Sequence, residues 1–382
     1  MMISHSKIEF LKKTKNKKDF IFFKKINKFS TDPVPYFMFT VDSTEYSFLY
    51  ESVEKGKDKG KVHFCGYGAL SIITNKKNGL YITKNNKIKK IRRKRNILNQ
   101  INSIISSYKI VNTQKLPPMA SSFFGYLSYE NINNIENIIK KKKEDTLMIP
   151  DCLLFIPETL VIYDNQKSIL YITKTINNNV SDAKNSYQNL INEFEKIETN
   201  IRTNNIYDKI NLNKRKKITP RSNISKSKFI RNINIAKKYI KDGDIFQVVP
   251  SHRFSAKYNS TGKKLYQVLR KTNPSPFLYY FNLPKFNIVG SSPEILVRLR
   301  NNTITIRPIA GTRPRGKNKT KDKFYEKELL KDKKEISEHL MLLDLGRNDV
   351  GRVSKKRSVK VTSSFTIEKY SHVMHIVSNV QG

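Results

Sequence analysis

The sequence predicts an α+β fold, and three observations carry that reading. Short apolar or alternating runs at residues 35–54, 62–83, 152–156, 160–163 and 169–173 read as strands, with a turn at Asp164-Asn165. Helical spacing marks residues 93–108, and Phe229, Ile233, Ala236 and Ile240 line one face of a further helix that leads toward a strand at Gln247. Residues 331–345 contain neither proline nor glycine and are rich in good helix formers, so they form one more helix. A polar, basic linker at 200–226 divides the chain into an N-terminal region, 1–199, and a C-terminal region, 227–382. No internal repeat is present.

Composition narrows the classes. The chain has 382 residues, with 73 Lys and Arg against 32 Asp and Glu, a net charge of +41. Such an excess by itself suggests a nucleic-acid partner. The lysines, however, are scattered among asparagine and isoleucine, as in Asn75-Lys76-Lys77-Asn78, and no recognition motif accompanies them. No specific nucleic-acid partner is therefore expected, and an RNA-binding protein built on an enzyme scaffold is kept as the rival reading. The two cysteines, Cys65 and Cys152, provide neither a disulfide framework nor a cysteine metal site, which fits a reducing cytoplasm. No apolar run is long enough to cross a membrane, and Glu9 and Asp19 interrupt the basic N-terminus, so neither a secretory signal nor a transit peptide is read.

Chemistry concentrates in three segments of the last third. Glu335 and Glu338 lie three apart in Glu335-Ile336-Ser337-Glu338-His339, so a helix projects both carboxylates from one face. A hard cation such as Mg2+, held by one or two carboxylates and several waters, would relieve their repulsion. Taken alone, the pair reads equally as a solvated acidic face. The run Leu340-Met341-Leu342-Leu343 that follows is expected to be buried, which would put the acids on the rim of a pocket. In Pro308-Ile309-Ala310-Gly311-Thr312-Arg313-Pro314-Arg315-Gly316, Gly311 allows close approach to a ligand, and Thr312 offers a hydroxyl and an N–H to a carboxylate. Arg313 and Arg315 add positive charge, although an ordinary surface loop has the same composition. His375, in Ser371-His372-Val373-Met374-His375, is either a core histidine or an acid and base.

Together with Glu51-Ser52, Phe123-Phe124-Gly125-Tyr126, Gly243-Asp244-Ile245-Phe246-Gln247-Val248-Val249-Pro250-Ser251, Asn273-Pro274-Ser275-Pro276 and Gly290-Ser291-Ser292-Pro293-Glu294, these segments resemble the chorismate-utilising enzymes, and within them the anthranilate synthase large subunits. The resemblance implies two packed antiparallel sheets flanked by helices. It also implies amination of chorismate at C2 by ammonia, with loss of the C4 hydroxyl and then of pyruvate. Glu338 would be the Mg2+ ligand, with Glu335 holding metal-bound water. Gly311 and Thr312 would bind chorismate, and His375 would sit near C4; Thr312, His375 and Gln247 occupy catalytic positions. Two positions discriminate within the family. Ala310 stands where aminodeoxychorismate-forming members tend to carry a nucleophilic lysine, and Gln247 stands where water-adding members carry a lysine base.

The resemblance implies two further partners. Neither cysteine has the setting of a glutaminase nucleophile, so a separate glutamine amidotransferase subunit would supply ammonia. Tryptophan, as feedback inhibitor, would bind at Ser52, Pro276, Phe277 and Leu278, with Tyr50 bulkier than the usual leucine and inhibition correspondingly weaker. The family's later motifs, including a second acidic pair facing the metal, do not occur in this sequence. The chain therefore reads as C-terminally truncated in its catalytic region, a remnant or one half of a split enzyme. By itself it is expected to lack synthase activity and to expose the 340–343 face.

Overall fold

The computed structural model describes residues 2–15, 19–52, 62–76, 79–84, 87–92, 97–108, 116–134, 145–176, 183–204, 207, 218–370 and 372–382. Of the expected linker at 200–226, residues 205–206 and 208–217 lie outside the described residues. The described part of that segment includes the end of the helix Ala183–Thr203 and the start of the helix Lys226–Lys241.

The middle layer is an eight-stranded antiparallel sheet. Its order is Met2–Ile3, Phe20–Ile26, Ile169–Ile176, Thr159–Asp164, Val62–Tyr67, Ser47–Glu51, Phe277–Leu283 and Phe286–Ser292. Strands from both sides of the linker thus share this sheet. Alternation sorts its side chains into two cores. Phe20, Phe22, Leu49, Cys65, Val161, Leu170, Ile172, Leu278 and Tyr280 face one way, against Phe10, Phe37, Phe194 and Tyr266 of the helices Lys7–Lys15, Val34–Ser43, Ala183–Thr203 and Gly262–Thr272. Ile21, Phe23, Phe48, Leu160, Ile162 and Phe281 face the other way, against Ile72, Phe124 and Phe155 of a second sheet. That sheet has five antiparallel strands, ordered Lys87–Ile91, Gly79–Lys84, Ser71–Lys76, Cys152–Ile156 and Phe124–Leu127. Phe48 stacks on Phe124 across the interface with ring centroids 4.2 Å apart. Ile97 and Ile101 of the helix Ile97–Ser107 close the second sheet's outer side. The two packed antiparallel sheets with flanking helices are those expected.

One stretch read as strand is helical. Residues 34–43 form the helix Val34–Ser43, which begins where Asp32 accepts the Val34 N–H at 3.0 Å and has a proline in its first turn. Val34, Pro35, Tyr36, Phe37, Met38, Thr40 and Val41 are all buried, so the helix lacks the polar face that would show a 3.6-residue period.

A third sheet carries the C-terminal motifs: Arg298–Arg300, Thr303–Ile306, Val373–Gln381 and Ile309–Pro314 in order, with Lys360–Lys369 also paired along Val373–Gln381. The helices Lys319–Lys331 and Lys333–Gly351 pack on one of its faces through Leu329, Leu343 and Val350, which meet Met374, Ile376 and Val380. The expected single helix at 331–345 is therefore the meeting of two. Asp332 ends the first and caps the second, accepting the Lys334 and Glu335 N–H groups at 3.0 and 3.2 Å. The expectation that Leu340 to Leu343 are all buried is also corrected. His339, Leu343, Gly346 and Val350 repeat at helical spacing toward the sheet, and Leu340 lies outside that stripe, 54 % exposed. The helix Lys226–Lys241 matches the amphipathic expectation, but none of its residues is buried. Gln247 lies in an irregular exposed segment rather than in a strand.

Candidate active site

The site is built around one backbone irregularity. Ile309–Pro314 pairs with Val373–Gln381 so that Ala310 faces Ile376 and Thr312 faces His375, leaving Gly311 as an extra residue on its strand. Gly311 has φ +71°, a conformation that a side chain disfavours. A Cβ there would also stand 3.2 Å from the methyl carbons of Leu329 and Ile376 and 3.4 Å from Glu335 Oε2. The bulge turns the Gly311 carbonyl toward His375, whose Nδ1 lies 2.9 Å from that oxygen and 3.1 Å from Thr312 Oγ1. A carbonyl only accepts, so Nδ1 carries the proton and Nε2 keeps its lone pair. Nε2 has no partner among the described residues.

Alternation places His375 and Thr312 on the sheet face opposite Met374 and Ile376, which are buried beneath the two helices. The acid pair approaches from the helix side. Gly311 is the junction, bonded to His375 through its carbonyl, with Glu335 Oε2 3.4 Å from where a side chain's Cβ would stand.

The arginines expected to lend charge to the turn are already engaged. Arg313 donates to Glu328 at 3.0 Å, to Asp332 at 2.7 Å and to the Thr312 carbonyl at 2.9 Å, and lies 3.5 Å from Glu335 Oε1. Arg315 grips Asp322 with two nitrogens and donates to the Tyr370 carbonyl at 2.8 Å. Its hydrogen bonds, with that of the Gly316 N–H, hold the Asp322 carboxyl at about 2, below its ordinary 3.8. These pairs fasten the strand Ile309–Pro314 to the two helices.

Glu335 is half-buried beside Arg313, whereas Glu338 has no ion pair or hydrogen bond among the described residues. Two oxygen-donor side chains on adjacent helical turns, one without a protein partner, fit Mg2+, which keeps most of its water. No cluster of three or more His, Cys, Asp or Glu that would form a complete protein cage occurs among the described residues.

Three residues at this site were not singled out in the sequence. Glu368 pairs directly across from His375, is bound by Arg307, and accepts the Tyr370 hydroxyl at 2.9 Å. The Tyr370 ring lies 5.4 Å from the His375 ring. Glu368 and Tyr370 lie two apart at the end of an alternating strand, and that shared parity was the available signal. His339 is fully buried, with Nε2 2.7 Å from Ser378 Oγ, and burial pushes its pKa down. It serves the helix–sheet contact.

The other expected site residues lie elsewhere. Gln247 makes no hydrogen bond with Thr312, His375 or the acid pair among the described residues. Leu278 pairs with Glu51, which brings Ser52 and Phe277 to the same end of neighbouring strands. Phe277, next to Pro276, is 39 % exposed, while Leu278 is buried on the opposite sheet face. Glu51 itself is buried and accepts from Tyr266 at 2.6 Å and from Arg270 Nε at 3.0 and 3.1 Å. Both cysteines are buried and free, and burial pushes the Cys152 thiol up to about 12 and the Cys65 thiol further, which leaves neither as a thiolate at neutral pH. Among the described residues no helix is long and apolar enough to cross a membrane.

Comparison with known proteins shows the family. The family of chorismate binding enzymes matches residues 46–382. Anthranilate synthase component 1 of Acetivibrio thermocellus is 40 % identical over 342 residues, covering 88 % of this chain and 68 % of the relative. Its counterpart from Acinetobacter calcoaceticus is 38 % identical over 363 residues, 92 % of this chain and 71 % of the relative. The crystal structure of anthranilate synthase component I from Streptococcus pneumoniae TIGR4 superimposes with a TM-score of 0.71 at 29 % identity, over 86 % of this chain and 70 % of the other. The menaquinone-specific isochorismate synthase of Escherichia coli shares the fold, with a TM-score of 0.60 at 13 % identity over 98 % of this chain and 74 % of the other. The chain belongs to the chorismate binding enzymes, among the anthranilate synthase component 1 proteins.

Proposed function

We propose that the Gly311 junction is where this chain takes part in converting chorismate and ammonia to anthranilate, pyruvate and water. The observation that carries the reading is the meeting of an imidazole, a hydroxyl and the Glu335 carboxylate about one glycine bulge. Glu338 and Glu335 would hold Mg2+. When bound, the ion supplies charge neutralisation at a substrate carboxylate. Thr312, whose side chain is exposed, positions chorismate by donating to it, and Gly311 sets the course of the strand that presents it. His375, with its Nδ1–H committed to the Gly311 carbonyl, would bind a second proton on Nε2 and give it to the departing C4 hydroxyl, which leaves as water, and Nε2 then takes up a proton released by the ammonium formed at C2. Ammonia forms the new bond at C2; loss of the C2 proton and of the enolpyruvyl group as pyruvate then restores the aromatic ring.

Ala310 and Gln247 support amination over the related outcomes, since neither an alkyl group nor a neutral amide acts as a nucleophile or takes a proton from water. With no exposed cysteine thiolate among the described residues, ammonia derived from glutamine would come from a separate amidotransferase subunit. Tryptophan would act at Ser52, Pro276, Phe277 and Leu278 as a feedback inhibitor, and the protein would work in the cytoplasm.

Titration calorimetry with chorismate tests the reading at the level of binding. Saturable binding that requires Mg2+ in the native chain and is lost or strongly weakened at the same Mg2+ concentration in Glu338→Gln is expected. Identical Mg2+ dependence in both would place the metal elsewhere.

A further inference from the structure

We propose that Tyr370 is the positioning residue for His375, acting as a wall that holds the imidazole in the one plane in which the Gly311 carbonyl keeps the proton on Nδ1. The inference rests on the role assigned to His375 above. The contacts of Nδ1 with the Gly311 carbonyl and Thr312 Oγ1 keep the proton on that nitrogen only while the ring holds its plane, and they leave it free to rock out of that plane. A flat neighbour removes the remaining freedom, and the Tyr370 ring lies 5.4 Å from the His375 ring with the planes inclined at 60°.

The wall is itself anchored at three points. Its residue sits in the turn between the strands Lys360–Lys369 and Val373–Gln381, where the Tyr370 N–H donates to the Val373 carbonyl at 2.8 Å. The Tyr370 carbonyl accepts from Arg315 at 2.8 Å, and Arg315 is in turn gripped by Asp322. The phenol donates to Glu368 Oε2 at 2.9 Å, and Arg307 binds the other carboxylate oxygen. Burial, with the Glu368 hydrogen bond adding to it, pushes the phenol's pKa upward, so the hydroxyl remains a donor at neutral pH. A tyrosine whose backbone and side chain are both tied down at a hairpin turn has little to gain in stability from facing one particular imidazole. What the arrangement does provide is a fixed direction for Nε2. A displacement of about 1 Å at such a group lowers turnover by as much as ~100-fold.

The test is the 15N spectrum of the histidine ring nitrogens in the full chain, compared with Tyr370→Phe and Tyr370→Leu, with turnover measured alongside. In the native chain His375 should show a single tautomer protonated at Nδ1. Tyr370→Leu should mix the tautomers and lower kcat about tenfold or more with KM within about twofold. Tyr370→Phe, which keeps the ring and loses only the Glu368 bond, should fall between and carries the test should the leucine variant unfold. A single Nδ1 tautomer in both variants would overturn the proposal. The spectra need no turnover, so a native chain that released no anthranilate would count against the reaction while the tautomer still decided the role of Tyr370.

Discussion

Gly311 does two things that no other residue can do at its position. It accepts φ +71°, and it leaves to Glu335 and to the methyl groups of Leu329 and Ile376 the space that a side chain's Cβ would enter. Gly311→Ala should therefore lower stability by about 1 kcal/mol or more by adding strain at a positive φ. The same change should displace the carbonyl that holds His375; an unchanged melting temperature and unchanged chorismate affinity would contradict that role. The glycine, the threonine and the histidine were legible in the sequence because each has a property its neighbours lack. The engagement of Arg313 and Arg315 was not, because their partners Glu328, Asp332 and Asp322 lie on helices that follow in sequence, and local pattern does not tell which charges fold back. The Arg315–Asp322 pair gives a pH signature. A carboxyl at about 2 when folded and 3.8 ordinarily binds fewer protons in the folded state, so its stabilisation is complete above about 4 and is lost as pH falls through about 2. Asp322→Asn should melt below the native chain at neutral pH, and the gap should close over that window. A gap that persists at pH ~2 would show that the ion pair is not its source.

At the scale of elements, the site depends on the break between the helices Lys319–Lys331 and Lys333–Gly351. Asp332 caps the second helix through two backbone N–H groups and also receives Arg313, so it fixes both where the Glu335 turn begins and where the strand Ile309–Pro314 lies. Asp332→Ala should cost about 1–2 kcal/mol from the cap alone. Chemical denaturation would check this, and a loss below ~0.5 kcal/mol would mean that water replaces the cap. Sequence patterning favoured one continuous helix here because an aspartate amid lysines and glutamates looks like any solvated position; only its two bonds to N–H groups mark it as a boundary. The opposite error at Val34–Ser43 has a related cause. A helix buried over most of its length, whose exposed position before the terminal Ser43 is the apolar Phe39, displays no polar face, and valine, tyrosine, phenylalanine and threonine are common strand residues. The strands Cys152–Ile156, Thr159–Asp164 and Ile169–Ile176 were legible because apolar runs of that length, bounded by turn residues, have few other solutions.

Across the whole molecule, one buried polar link joins segments more than two hundred residues apart. Glu51 of the strand Ser47–Glu51 is held by Tyr266 and Arg270 of the helix Gly262–Thr272, beside the Ser52 and Phe277 strand ends. Removing one partner leaves an uncompensated charge in the core, so Glu51→Ala should destabilise by roughly 3–5 kcal/mol. Denaturant unfolding would read this, and a change under ~1 kcal/mol would show that the network is dispensable. Such long-range pairing was beyond the sequence, which offered Glu51 only as part of a motif. The central claim, that the junction at Gly311 belongs to a site that aminates chorismate, is tested most directly by product analysis. The purified chain is supplied with chorismate, Mg2+ and ammonium, and the products are separated by chromatography. Whatever turnover the chain supports, the account predicts anthranilate and pyruvate in equal amounts as its products, both abolished in Glu338→Gln. Isochorismate or 4-amino-4-deoxychorismate as the main product would contradict it.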